Sequence, residues 1–211
     1  MSERSRIVET ALAKLRSDKE IADFTIASSS GKEWKVHKFV LFMYSDVLYR
    51  MSTSKEFMEC QNGRMVLQDI QDRSVGALID YMYSADVDLS YLQVNLEDML
   101  PLYIELWRLA DMYNVKGMQQ DVLHQCKQWA FDGPYVDAMC AAVPTVQGKD
   151  DVPGEITNMV VGEWANILRA GLMYDDPCGM EKIESVLDDY PMFAAEVLKE
   201  VARSIMGNRW P

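Results

Sequence analysis

The stretch DFTIASSSGKEWKVHKFVLFMYSDVLYRMSTSKEFMECQNGRMVLQDIQDRSVGALIDYMYSAD, from Asp23 to Asp86, decides how the chain folds. Phe24 and Ile26 alternate with polar or small neighbours, as do Trp34 and Val36. The polar Ser28-Ser29-Ser30-Gly31 run between them predicts a hairpin. After His37 the period changes. Val40, Tyr44, Val47, Leu48 and Met51 recur at helical spacing, with Ser45-Asp46 interrupting the run and capping a second short helix. Asn62-Gly63 punctuates a third alternating segment, Arg64 to Asp69, and Ser74 to Tyr83 is helical again. Strand, strand, helix, strand, helix makes a compact α+β unit.

Those residues resemble the core of the BTB/POZ domain. The resemblance rests on Asp23-Phe24-Thr25-Ile26, on Val36-His37-Lys38 leading into Val40-Leu41, and on Ser45. It continues through Phe57-Met58-Glu59-Cys60, Val66-Leu67, Tyr81-Met82-Tyr83-Ser84-Ala85-Asp86 and Leu109-Ala110-Asp111-Met112-Tyr113, covering roughly residues 20 to 130. Leu48 stands where that family usually has Phe, and Ala85 where it usually has Gly. The implied fold is a small sheet flanked by clustered helices. The later residues predict an all-α C-terminal extension of the kind found in fungal-type members.

With 211 residues, 49% of them hydrophobic, the chain can bury a domain-sized core with an appendage. A net charge of −12 opposes a phosphate backbone, so no direct nucleic-acid partner is expected. No apolar run suits a signal peptide or a membrane span, which predicts an intracellular protein, cytoplasmic or nuclear. The four cysteines, 60, 126, 140 and 178, lack paired metal-ligand spacing, and His37 and His124 lie far apart. Neither a metal nor a cofactor is expected. No Gly-rich phosphate loop, nucleophile elbow or Cys–His arrangement points to an enzyme.

Residues 1–20 read as an amphipathic helix whose narrow stripe is Ile7, Val8, Ala11, Leu12 and Leu15. Such a stripe packs on its own domain or on a second copy. The resemblance implies the second, because family members commonly dimerise through a helix placed here. It also puts Asp23 and Lys38 close to the dimer seam. His37 and Ser45 read as structural residues. Ser52 to Glu56 reads as a polar loop, after which one of Phe57 and Met58, Phe57 foremost, is expected to pack back on the core. By resemblance, Phe57-Met58-Glu59 fits the hydrophobic-x-Glu motif with which BTB adaptors engage a cullin-3 type scaffold. Fungal-type members carry a similar Phe-x-Glu-Ser run without a known scaffold, so two functions stand. One is a dimeric ubiquitin-ligase adaptor that holds a substrate protein. The other is a scaffold or transcription-related regulatory module without cullin binding.

Further along, Val87 and Leu89 predict a brief strand, Asn95 to Tyr113 a long helix with Pro101 in an early turn, and Lys116 to Phe131 another helix. Asp132-Gly133-Pro134 marks the boundary between a domain at 21–131 and an extension at 134–211. In the extension, Tyr135 to Val143 reads as a short helix, and Pro144 to Gly154, with Gly148 and Asp150-Asp151, as a surface loop. Ile156 to Met173 reads as a helix closed by Asp175-Asp176-Pro177, and Ile183, Val186 and Leu187 as part of a short helix. A last helix begins at Tyr190-Pro191 and aligns Phe193, Val197, Leu198, Val201 and Ile205. Trp34, Trp107, Trp129, Trp164 and Trp210 read as core or surface anchors.

Overall fold

The computed structural model describes residues 3–132, 135–147, 152–171 and 177–206. Gly133-Pro134, Gly148, Asp150-Asp151, Met173, Asp175-Asp176 and Trp210 lie outside these, and so do the expectations attached to them. The chain divides into two compact units, one drawn from 1–93 and 105–122, the other from 94–104 and 123–211.

In the first unit, β1 (Phe24–Ser28) is the central strand of a three-stranded sheet ordered β2-β1-β3. It pairs antiparallel with β2 (Glu33–Val36), setting Phe24 against Val36 and Ile26 against Trp34. It pairs parallel with β3 (Arg64–Leu67), setting Ile26 against Met65. Gly31, at φ 90, makes the hairpin turn between β1 and β2, a conformation glycine adopts without a side-chain clash. Every residue of β1 is buried, since a central strand is covered on both faces. Around the sheet stand α1 (Glu3–Ser17), α2 (Lys38–Tyr44), α3 (Asp46–Thr53), α4 (Met58–Asn62) and α5 (Asp72–Ser84). α5 buries Val75, Leu78, Ile79 and Met82 on the face that meets β1 and α2. Glu105 reaches the start of α5, accepting from the Ser74 hydroxyl and, at 3.4 Å, from the Gln71 N–H. α5 ends at Ala85, a left-handed residue at φ 53 whose N–H donates to the Tyr81 carbonyl.

That geometry suits glycine and strains alanine. A Cβ in the left-handed region costs about 1–2 kcal/mol, while glycine forfeits roughly 0.5–1 kcal/mol of chain entropy. Ala85→Gly is therefore expected to stabilise the domain by about 0.5 kcal/mol and raise Tm by about 1–2 °C, read by thermal denaturation. A lower Tm would mean that the Ala85 methyl is packed rather than strained.

Two expectations in this unit are corrected. Val87 and Leu89 are buried but belong to no strand, because their alternation records burial and no neighbouring backbone pairs with them among the described residues. Ser52 and Thr53 are not loop residues. They complete α3, where their hydroxyls donate at 2.8 Å to the Tyr49 carbonyl, a local bond that lets polar residues end a helix.

α6 (Leu96–Met112) and α7 (Met118–Asp132) contribute residues to both units. Asn114 between them takes a left-handed φ of 46. The second unit also holds α8 (Tyr135–Gln147), α9 (Gly154–Gly171), α10 (Pro177–Asp189) and α11 (Pro191–Met206). Its centre is Trp164, fully buried, edge-on to Phe193 at 5.6 Å and donating from its indole N–H to the Met139 carbonyl at 3.1 Å. α8 runs on through Pro144 to Gln147 instead of giving way to a loop. Proline costs that helix one backbone hydrogen bond, but Val143 and Val146 on either side are buried and hold the turn in place. In α11, Phe193, Val197 and Val201 face inward, but Leu198 and Ile205 do not. At about 100° of rotation per residue they stand beside the core face, not on it.

Candidate interaction surfaces

On α1 the apolar stripe splits. Leu12 is buried, Leu15 half-buried, and Ala11 is exposed, with Ile7 and Val8 63% and 48% exposed. Leu12 therefore belongs to the core of its own unit, where α1 packs on α5. The helix is pinned at its C-terminal end. Arg16 donates from Nε and Nη2 to the Asp80 carboxylate at 2.8 and 2.5 Å, and Tyr91 donates to the other Asp80 oxygen at 3.0 Å. The Arg16 guanidinium also lies 5.4 Å over the Tyr83 ring. Ile7, Val8 and Ala11 are left facing solvent.

The structure brings Asp23 and Lys38 together. The Asp23 carboxylate accepts from the Lys38 backbone N–H at 2.8 Å, taking one of the free donors at the start of α2. The Lys38 ammonium lies 5.6 Å over the Phe24 ring. Beside them, Ile21, Phe39 and Phe42 are exposed. Sequence reasoning passed over these three. The signal was available: Lys38 to Tyr44 is apolar on every side, and a helix of that kind has two faces to cover. Val40 and Leu41 fill one, and Phe39 and Phe42 occupy the other.

His37 is buried at the strand-to-helix junction. Its backbone N–H donates to the Tyr83 hydroxyl at 3.0 Å, and the same hydroxyl stands 2.7 Å from Nδ1. The hydroxyl and Nδ1 share one short hydrogen bond, whose direction is set by the imidazole tautomer. Burial raises the pKa of Tyr83 and keeps it a proton donor. Among the described residues no group of three or more His, Cys, Asp or Glu could hold a metal ion.

Ser45, fully buried, joins two elements. Its hydroxyl accepts from the Leu48 N–H at 3.0 Å, capping α3, and donates to the Tyr113 carbonyl at 2.5 Å. Ser45→Ala removes the cap and takes the hydroxyl donor from the part-buried Tyr113 carbonyl, effects worth about 1 and 1–2 kcal/mol. The expected loss is about 2–3 kcal/mol, a fall of roughly 5–10 °C in Tm by calorimetry. A change within about 0.5 kcal/mol would contradict this double role.

Phe57, Met58 and Glu59 open α4. Phe57 occupies the N-cap position in extended conformation, and Glu59 sits in the first turn, where the helix dipole favours an acid. The expectation that one apolar side chain packs back is corrected: Phe57 is 40% and Met58 64% exposed. α4 has only five residues, none of them buried, and ends at Gly63 in the left-handed conformation before β3 begins. The turn is too short to give Phe57 an inward face. It presents two large apolar side chains beside a carboxylate, bounded by α3 and β3.

In this architecture a three-stranded sheet is clasped by helices, and apolar residues of α1, α2 and α4 are left outside. The BTB/POZ domain family profile matches residues 12–128, more than half of the chain, and the chain belongs to that family. Among curated relatives it is similar to the human Kelch repeat and BTB domain-containing protein 4, 30% identical over 54% of this chain and 20% of that protein. The Macaca fascicularis protein of the same name is 27% identical over 57% and 20%. The human Kelch repeat and BTB domain-containing protein 12 is 27% identical over 45% and 15%. The chain thus matches a fifth or less of the length of these relatives. No helix among the described residues is long and apolar enough to cross a membrane.

Proposed function

We propose that the chain is a non-enzymatic adaptor that forms a homodimer and presents Phe57-Met58-Glu59 to a cullin-3 type scaffold. The observation that carries the reading is the exposure of Phe57 and Met58 beside Glu59 at the start of α4. An aromatic and a flexible thioether next to an acid form a small anchor that fills an apolar pocket while the carboxylate meets a donor. The dimer rests on Ile7, Val8 and Ala11, with Asp23 and Lys38 at the seam and Ile21, Phe39 and Phe42 extending the apolar surface. Leu12 and Leu15 support the helix from beneath. In this reading residues 1–20 dimerise, 21–131 form the BTB domain, and the extension from 134 to 211 holds a substrate protein. The chain performs no bond chemistry. It acts by raising the effective concentration of substrate at the ligase.

The test is calorimetric titration of the full chain with a cullin-3 N-terminal fragment. The expected result is saturable binding at one fragment per chain. Heat indistinguishable from dilution would put the scaffold or transcription-related reading in front.

A further inference from the structure

The last helix carries an apolar face that its own bundle leaves unused. α11 buries Phe193, Val197 and Val201 where it packs on α9. Beside that face Ala195, Leu198, Ala202 and Ile205 are exposed, Leu198 at 59% and Ile205 at 73%. Their spacing of three, four and three residues is that of a heptad seam.

The order of sizes along the seam, small, large, small, large, selects its occupant. In a parallel, in-register pair of these helices alanine would meet alanine and leave voids, which packed interiors do not tolerate. In an antiparallel pair about a two-fold axis near Glu200, Leu198 covers Ala202 of the second copy and Ile205 covers its Ala195. Each large side chain then sits over a small one, and the surface is complementary to itself, as a two-fold contact requires. Only Lys199, flanking the seam, opposes the match, because the axis brings it towards its own counterpart.

We propose that α11 pairs antiparallel with α11 of a second copy of this chain, through a surface separate from α1. Salt strengthens the α11 contact by screening the two Lys199 side chains.

Four proteins carrying the whole 211-residue chain test this by light scattering from about 1 μM to about 1 mM, the range in which a small apolar contact dissociates. They are the wild type, Ile7→Asp/Val8→Asp, Leu198→Asp/Ile205→Asp, and the combination of all four substitutions. Each substituted residue is exposed, so thermal denaturation should show the fold unchanged. The α1 variant is expected to dimerise as concentration and salt rise, and the fourfold variant to remain monomeric throughout. An α1 variant that stays monomeric at every concentration, or a fourfold variant that dimerises as readily, would overturn the proposal. The α1 interface is read separately, from whether Leu198→Asp/Ile205→Asp still dimerises. Oxidative cross-linking, with the wild type as background, checks orientation. Leu198→Cys/Ala202→Cys should give a covalent dimer, and Ala202→Cys alone should not; the reverse would overturn the antiparallel arrangement.

Discussion

Ile7→Asp/Val8→Asp is expected to convert the protein, at low micromolar concentration, from a mass of two chains to a mass of one. Both side chains stand outside their own core, so the substitution leaves the domain's packing intact. In the dimer each is buried twice, once per protomer. Only about half of each side chain remains to be covered, so at about 1 kcal/mol each, four amount to about 4 kcal/mol, or roughly three orders of magnitude in dissociation constant. Burying four carboxylates adds to the loss. Leu12→Asp would not serve, because Leu12 is buried within its own unit and its replacement would unfold α1 from α5. Light scattering with a melting curve separates the cases: one chain mass at unchanged Tm is the expected outcome. A variant that remains a dimer at low micromolar concentration would remove α1 from the interface.

Phe57→Ala is expected to weaken cullin-fragment binding by about 30- to 1000-fold, the loss of about 2–4 kcal/mol that follows truncation of an aromatic anchor. Phe57 and Met58 are 40% and 64% exposed, so Phe57→Ala should lower Tm only slightly and leave the dimer mass unchanged. Glu59→Gln keeps the shape and removes the charge. If Glu59 meets a cationic donor, its effect should shrink as salt rises, whereas that of Phe57→Ala should persist. Equal affinity of wild type and Phe57→Ala would mean that α4 is not the contact.

How much of this was legible in the sequence follows from what each pattern encodes. The β1–β2 hairpin was readable because polar serines and Gly31 interrupt two alternating runs, and α5 because its apolar residues keep one helical period. The two-helix reading of Val40 to Met51 rested on Ser45, whose hydroxyl does cap α3. Alternation at Val87 and Leu89 misled, since it reports inward-facing side chains and not a pairing partner. Pro144 misled because the penalty of one missing bond is smaller than the burial of Val143 and Val146. The outward Phe39 and Phe42, and the second face of α11, were missed for one reason. Apolar residues on two sides of a helix look like a single broad core stripe until the neighbours are known. At α4 the motif was legible, but its exposure was not, because whether Phe57 turns inward depends on the length of a five-residue turn.

The most direct test of the adaptor reading is the mass of the wild-type chain in solution, at low micromolar concentration, with and without an equimolar cullin-3 N-terminal fragment. A dimer that grows to two chains and two fragments is the predicted result. A single-chain mass unchanged by the fragment would contradict both the dimer and the scaffold contact.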